Sequence, residues 1–194
     1  YMPKVGMEPI RKKQLIDATL VVIAEYGFHS ATISLISKQA GLSSGIISHY
    51  FGGKQGLIEA AMRYLLEKLK LQGSFSSHLE RIDTIVESNF SVEQQESSAT
   101  NTWLNFWALS LHNEGLHRLQ RINHKRLESN LTYSFTNLIP REHAKEAALS
   151  TAALIDGFWL RNALEGEKQN TKENVTKASN AVKRYVRLVV SQYQ

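Results

Sequence analysis

Ala40-Gly41-Leu42-Ser43-Ser44-Gly45-Ile46-Ile47-Ser48-His49-Tyr50-Phe51 joins the end of one short helical pattern to the whole of a second. Gly41 permits a sharp backbone turn, and Leu42 just after it can pin both segments against a supporting helix. On the second segment Ile46, Ile47 and Phe51 take one side, which leaves Ser44, Gly45, Ser48 and His49 on the other. Small polar residues at a helix start let amides and hydroxyls approach phosphates, and the helix dipole favours the negative charge. These are the dimensions of a helix-turn-helix, and by spacing alone also those of a plain helical hairpin.

Working outward, residues 11–26 place Leu15, Ile16, Thr19, Leu20, Ile23 and Tyr26 at three- and four-residue intervals, an amphipathic helix that Gly27 stops. Thr32 supplies an N-cap hydroxyl for the next helix, and Ser43 is the expected cap of the third. After Phe51-Gly52-Gly53 a longer helix runs from Lys54 through Leu57, Ala61, Tyr64, Leu65 and Leu69. Past the polar connection Gly73-Ser74-Phe75-Ser76-Ser77, helices are expected at about 78–90, 97–112, 115–138, 141–165 and 172–192, with Pro140 as a start and Gly166 as a stop. No segment sustains period-two alternation. The chain therefore reads as all-α, with an N-terminal three-helix helix-turn-helix domain at 9–54 and a C-terminal helical domain at 55–194.

The chain has 194 residues, no cysteine and three prolines, which excludes a disulfide framework, a zinc finger and a thiol enzyme. The net charge is +5, and residues 1–54 hold six bases (Lys4, Arg11, Lys12, Lys13, Lys38, Lys54) against three acids (Glu8, Asp17, Glu25). That excess favours a polyanion, although a solvated surface gives similar figures. The longest apolar run, Leu20-Val21-Val22-Ile23-Ala24, is far short of a membrane span, and the residues up to Arg11-Lys12-Lys13 hold no apolar stretch of signal-peptide length. A cytoplasmic protein with no membrane attachment is expected.

Thr32-Ile33, Ile36, Ala40-Gly41-Leu42-Ser43-Ser44-Gly45, His49-Tyr50-Phe51, Lys54 and Leu57 together resemble the DNA-binding signature of the TetR family of repressors. The resemblance implies phosphate or base contacts from Thr32, Ser43, Ser44, Gly45, His49, Tyr50 and Lys54. It departs at Ser48, where most relatives carry a tyrosine; a hydroxyl or a bridging water is the expected replacement. The family also implies a ligand-binding and dimerisation domain, a homodimer and a palindromic double-stranded operator read by two helices about 34 Å apart. Ala148, Thr151, Ala152 and Ile155, then Val175, Ala178, Val182, Val186 and Val189, are candidates for the dimer face, with packing inside one chain as the other reading.

A narrower resemblance, to the choline-responsive repressors of glycine betaine synthesis within that family, is carried by Met2-Pro3-Lys4-Val5-Gly6-Met7, Gly45-Ile46-Ile47-Ser48-His49-Tyr50-Phe51 and Thr102-Trp103-Leu104-Asn105-Phe106-Trp107. It implies choline as effector. Trp103 and Trp107 are four apart and share a helix face, as do Asp156 and Trp159. A small quaternary ammonium offers no hydrogen-bond donor, so aromatic faces and a carboxylate are the groups that recognise it. Tryptophans at helical spacing equally serve as core, and Phe106, Tyr133 and Phe158 are weaker candidates.

His112, His117 and His124 lack metal-ligand spacing, Gly52-Gly53-Lys54-Gln55 lacks the full phosphate-loop pattern, and no nucleophile has an evident base, so no metal, cofactor or enzymatic activity is expected. The competing readings are a multidrug sensor for lipophilic cations, a choline-processing enzyme and a ligand-independent architectural DNA binder.

Overall fold

The computed structural model describes residues 6–91, 97–165 and 171–193, and among these there are nine helices and no strand. They are α1 (Met7–Ser30), α2 (Ile33–Ala40), α3 (Gly45–Phe51), α4 (Lys54–Lys68), α5 (His78–Asn89), α6 (Ser97–Ser110), α7 (Glu114–Phe135), α8 (Arg141–Leu164) and α9 (Lys172–Ser191). Among the described residues, no helix is long and apolar enough to cross a membrane. The expected stop at Gly166 and residues 2–5 of the N-terminal motif lie outside the described residues.

The chain divides into two compact units, residues 1–68 with 97–120 and residues 69–96 with 121–194. In the first, α1 buries Leu15, Ala18, Thr19, Val22 and Ile23, and Thr19 donates its hydroxyl to the Leu15 carbonyl at 2.7 Å. Tyr26 is off that face and 54% exposed, contrary to the expected stripe. Gly27, at φ 74° and ψ 168°, breaks the helix before a last turn to Ser30. Thr32 caps α2, its Oγ1 accepting from the Leu35 N–H at 3.1 Å.

Gly41 ends α2 in the left-handed conformation (φ 65°), its N–H donating to the Lys38 carbonyl while the Leu42 N–H reaches the Ser37 carbonyl at 3.1 Å. This pair of bonds closes the helix end and turns the chain toward α3. Ile36, Ile47, Leu57 and Leu15 are fully buried in the core that results. Burying one such side chain is worth about 1.5–3 kcal/mol, more than a seven-residue helix can supply through its own hydrogen bonds.

In the second unit α8 and α9 pack together with α5 against both. Arg187 forks onto Asp83, with Nη1 to Oδ1 at 3.0 Å and Nη2 to Oδ2 at 2.5 Å, and Lys183 pairs with Glu87, so two ion pairs join α9 to α5. The residues considered for a dimer face are core instead: Ala148, Thr151, Ala152, Ile155, Val175, Ala178, Val182 and Val186 are all buried within one chain. Val189 is half-buried.

Two glycines in the first unit are close-packed for different reasons. A Cβ on Gly56 would lie 1.9 Å from the Phe51 carbonyl oxygen, a backbone atom at the end of α3, whereas one on Gly115 would meet the Glu59 carboxylate, the end of a flexible side chain. Gly56→Ala is expected to lose about 1–3 kcal/mol of stability despite its better helix propensity. Gly115→Ala is expected to stay within about 1 kcal/mol of wild type, because Glu59 can swing aside. Urea denaturation of both variants checks the contrast.

Candidate nucleic-acid interface and effector-facing residues

Ile47, fully buried, fixes the rotation of α3 about its own axis, and the opposite edge follows from it. Thr32, Ser43, Ser44, Gly45, Ser48 and His49 are exposed, while Tyr50 and Lys54 are half-buried. The expected Ser43 hydroxyl cap does not form. Ser44 is helical (φ −63°, ψ −28°) and makes no side-chain cap bond, and the helix opens on a tight turn in which the Ser43 carbonyl accepts from the Ile46 N–H at 3.2 Å. Among the described residues the Ser43 and Ser44 hydroxyls have no hydrogen bond within the chain, and no side chain caps the start of α3.

Three lysines sit on aromatic rings around this edge. Lys12 Nζ lies 5.6 Å from the Tyr50 ring centre and 2.6 Å from Glu8 Oε1, and that lysine holds the Glu8 carboxyl below its ordinary pKa. Lys54 Nζ is 5.5 Å from the Phe28 ring, and Lys13 pairs with Asp17 while resting 4.6 Å from the Tyr64 ring. Such exposed pairs are too weak to withhold a lysine from a phosphate. Both acids fall at i,i+4 from their lysines, so the pairs Glu8–Lys12 and Lys13–Asp17 follow from the helix period.

The tryptophans and Asp156 occupy both units. In the first, α6 carries Trp103, 4% exposed and edge-on to Phe106 at 5.7 Å between ring centres, and Trp107, half-buried. In the second, α8 carries Trp159, 6% exposed, and half-buried Asp156. Desolvation raises the Asp156 pKa; His124, with Nε2 3.8 Å from Oδ2, opposes the rise and Glu128 adds to it.

Asp156 lines a cavity of about 30 Å³ with Asn89, Asn123, Arg126 and Asn130. That is space for a water, not for a trimethylammonium group, and Trp159 is not among its walls. Phe106 is core, Phe158 half-buried, and Tyr133 is 58% exposed, covered instead by the guanidinium of Arg81 at 5.0 Å.

Comparison with known proteins places both parts of the chain. Residues 15–61 match the bacterial regulatory proteins of the tetR family, and residues 78–189 match the C-terminal domain of BetI-type transcriptional repressors. The chain is 51% identical to the HTH-type transcriptional regulator BetI of Serratia proteamaculans over 181 residues, covering 90% of this chain and 91% of that one. It is 50% identical to the regulator of the same name from Yersinia pestis, covering 89% and 90%.

Solved structures share the fold. A transcriptional regulator from Rhodococcus sp. Rha1 superposes with a TM-score of 0.79 at 18% identity, covering 94% of this chain and 97% of that one. A candidate transcriptional regulator from Saccharomonospora viridis, in complex with choline, gives 0.77 at 18% identity, covering 92% and 96%. With a tetR-type helix-turn-helix at its front and a BetI-type domain over most of the remainder, the chain belongs to the TetR family of transcriptional regulators.

Proposed function

We propose that the chain is a choline-responsive, sequence-specific repressor of glycine betaine synthesis genes, working in the cytoplasm as a homodimer on a palindromic operator. Residues 9–54 form the reading head and 55–194 the ligand-binding and dimerisation domain. The observation that carries the reading is the exposed polar edge of α3, with uncapped Ser43 and Ser44, set by the buried Ile47 on its other side. Thr32, Ser43, Ser44, Gly45 and Tyr50 hold phosphates or sugars, Lys54 adds charge, Ser48 meets the DNA backbone through its hydroxyl or a water, and His49 reaches base edges.

The choline assignment draws support from the relatives named BetI and from the choline complex of the Saccharomonospora protein. Trp159 is the candidate aromatic face and Asp156 the candidate counter-charge within the second unit, and Trp103 and Trp107 are candidate faces within the first, each desolvated cation–π contact contributing about 0.5–2 kcal/mol. A carboxylate counter-charge attracts choline and repels glycine betaine, whose own carboxylate would meet it, so precursor and end product are told apart. Ligand binding then disfavours the operator-competent arrangement by about 1–3 kcal/mol, as is usual for allosteric coupling.

Dimerisation draws on a different face from the one the sequence suggested. Exposed Leu149, Ala153, Gly157 and Leu164 run along one side of α8, and Leu188 of α9 is 66% exposed. Small residues between leucines allow close helix approach across a two-fold axis. Leu149→Glu is expected to convert the dimer to monomer in light scattering and, by removing the paired heads, to abolish tight operator binding.

Operator titrations with and without choline are expected to differ by roughly 5- to 150-fold, the range of ordinary coupling energies. Trp107→Ala and Asp156→Ala should lose the choline effect while retaining operator affinity; equal operator affinity with and without choline in wild type contradicts the proposal.

The raised pKa of Asp156 adds a pH test with two opposite signs. Choline affinity should fall as pH drops through that raised value, because the carboxyl gains a proton and loses its charge. Stability of the ligand-free protein should move the other way. A carboxyl that binds its proton more tightly when folded costs stability as pH rises from its unfolded value through its folded one. Asp156→Asn should therefore be the more stable protein at neutral pH, with the gain vanishing below the ordinary carboxylate range, as read by thermal denaturation across pH.

A further inference from the structure

The second unit holds a wide-mouthed cavity of about 470 Å³ at the start of α5, within the size range of small-molecule sites. Its walls include Leu71, Phe75, Ser77, His78, Arg81 and Tyr133. It shares Leu71 alone with the small cavity beside Asp156, and neither a tryptophan nor a carboxylate lines it.

Arg81 is the unusual group. Its Nη1 donates to the Asn130 carbonyl at 2.6 Å and to Ser134 Oγ at 2.8 Å, and Nη2 donates to Asn130 Oδ1 at 2.7 Å. Its flat face lies 5.0 Å from the Tyr133 ring centre. Among the described residues no carboxylate meets this half-buried guanidinium, and burial draws its pKa below the ordinary value. Three of the five N–H donors of a guanidinium are spent on these partners, which leaves Nε–H and one Nη2–H.

Other polar groups around it are also unspent. His78 Nδ1 is buried without a hydrogen-bond partner, and the His78 ring meets Tyr133 edge-on at 5.5 Å. Ser77 Oγ accepts from the Glu80 N–H at 3.1 Å, and its own hydrogen has no acceptor among the described residues. The Glu80 carboxylate is turned to the Ser76 N–H at 2.6 Å and to the Ser76 hydroxyl.

We infer that this cavity binds a small monocarboxylate, whose two oxygens take the remaining Arg81 donors and the Ser77 hydroxyl while its apolar body lies against Leu71, Phe75 and Tyr133. One uncompensated cation matches one negative charge, and the apolar walls favour a carboxylate with a hydrocarbon body over phosphate, which calls for several cations. The site is independent of the choline reading, since it shares neither the tryptophans nor Asp156.

Calorimetric titration of the full chain with benzoate, and with its neutral isostere benzamide, tests the assignment. Benzoate is expected to saturate one site per chain at least ten-fold more tightly than benzamide. Arg81→Gln should erase that difference, and Phe75→Ala should weaken benzoate by five-fold or more, with choline binding unchanged in both. Should Arg81→Gln fail to fold, the isostere comparison and Phe75→Ala decide the matter. Benzoate binding no tighter than benzamide, benzoate affinity indifferent to the variants, or displacement of benzoate by inorganic phosphate as readily as by acetate would each overturn it.

Discussion

A helix of seven residues does not hold itself in water, and α3 exists because Ile47 is fully buried and the helix packs on α4. That single constraint sets the rotation of the helix, and rotation decides which side chains the solvent side receives. Ser44, Ser48 and His49 are on that side through no preference of their own. Three backbone devices make the arrangement reproducible: the Thr32 cap, the left-handed turn at Gly41 and the Gly56 approach to the Phe51 carbonyl. The reading edge is therefore as firm as the core behind it, which is what a surface that must match a groove requires.

Charge follows a different logic in the second unit. Asp156 and Arg81 are both half-buried ions whose surroundings do not fully repay their desolvation: one has a histidine 3.8 Å away, the other neutral oxygens and a ring. Structural charges in the same unit look otherwise, since Arg187–Asp83 and Lys183–Glu87 meet as opposite pairs between α5 and α9. An ion kept short of its counter-ion is a cost that packing alone does not explain, and a ligand of opposite sign would offset it at either residue.

The helical architecture was largely legible because caps and glycines are local. Thr32, Gly41, Pro140 and the spacing of Leu15, Thr19 and Ile23 each act within a turn of where they stand. The expected Ser43 cap does not form, and the helix opens instead on a tight turn closed by the Ser43 carbonyl and the Ile46 N–H. What the sequence could not separate was a helix face turned inward from one turned to a second copy. Ala148, Thr151, Val182 and Val186 have the small and branched character of a helix interface, and they make one, inside a single chain. Only burial distinguishes that from a dimer contact. Arg81 was equally invisible, because Asn130 and Ser134 are some fifty residues away and nothing in the chain's periodicity joins them.

The central claim is that the edge opposite Ile47 reads sequence, not merely charge. Its most direct measurement is the ratio of affinities for a palindromic duplex, enriched from a random pool by this protein, and a scrambled duplex of equal length at fixed salt. A ratio of about 10³ or more, reduced in His49→Ala while affinity for the scrambled duplex is retained, is the expected result. Equal affinity for the two duplexes would contradict the account.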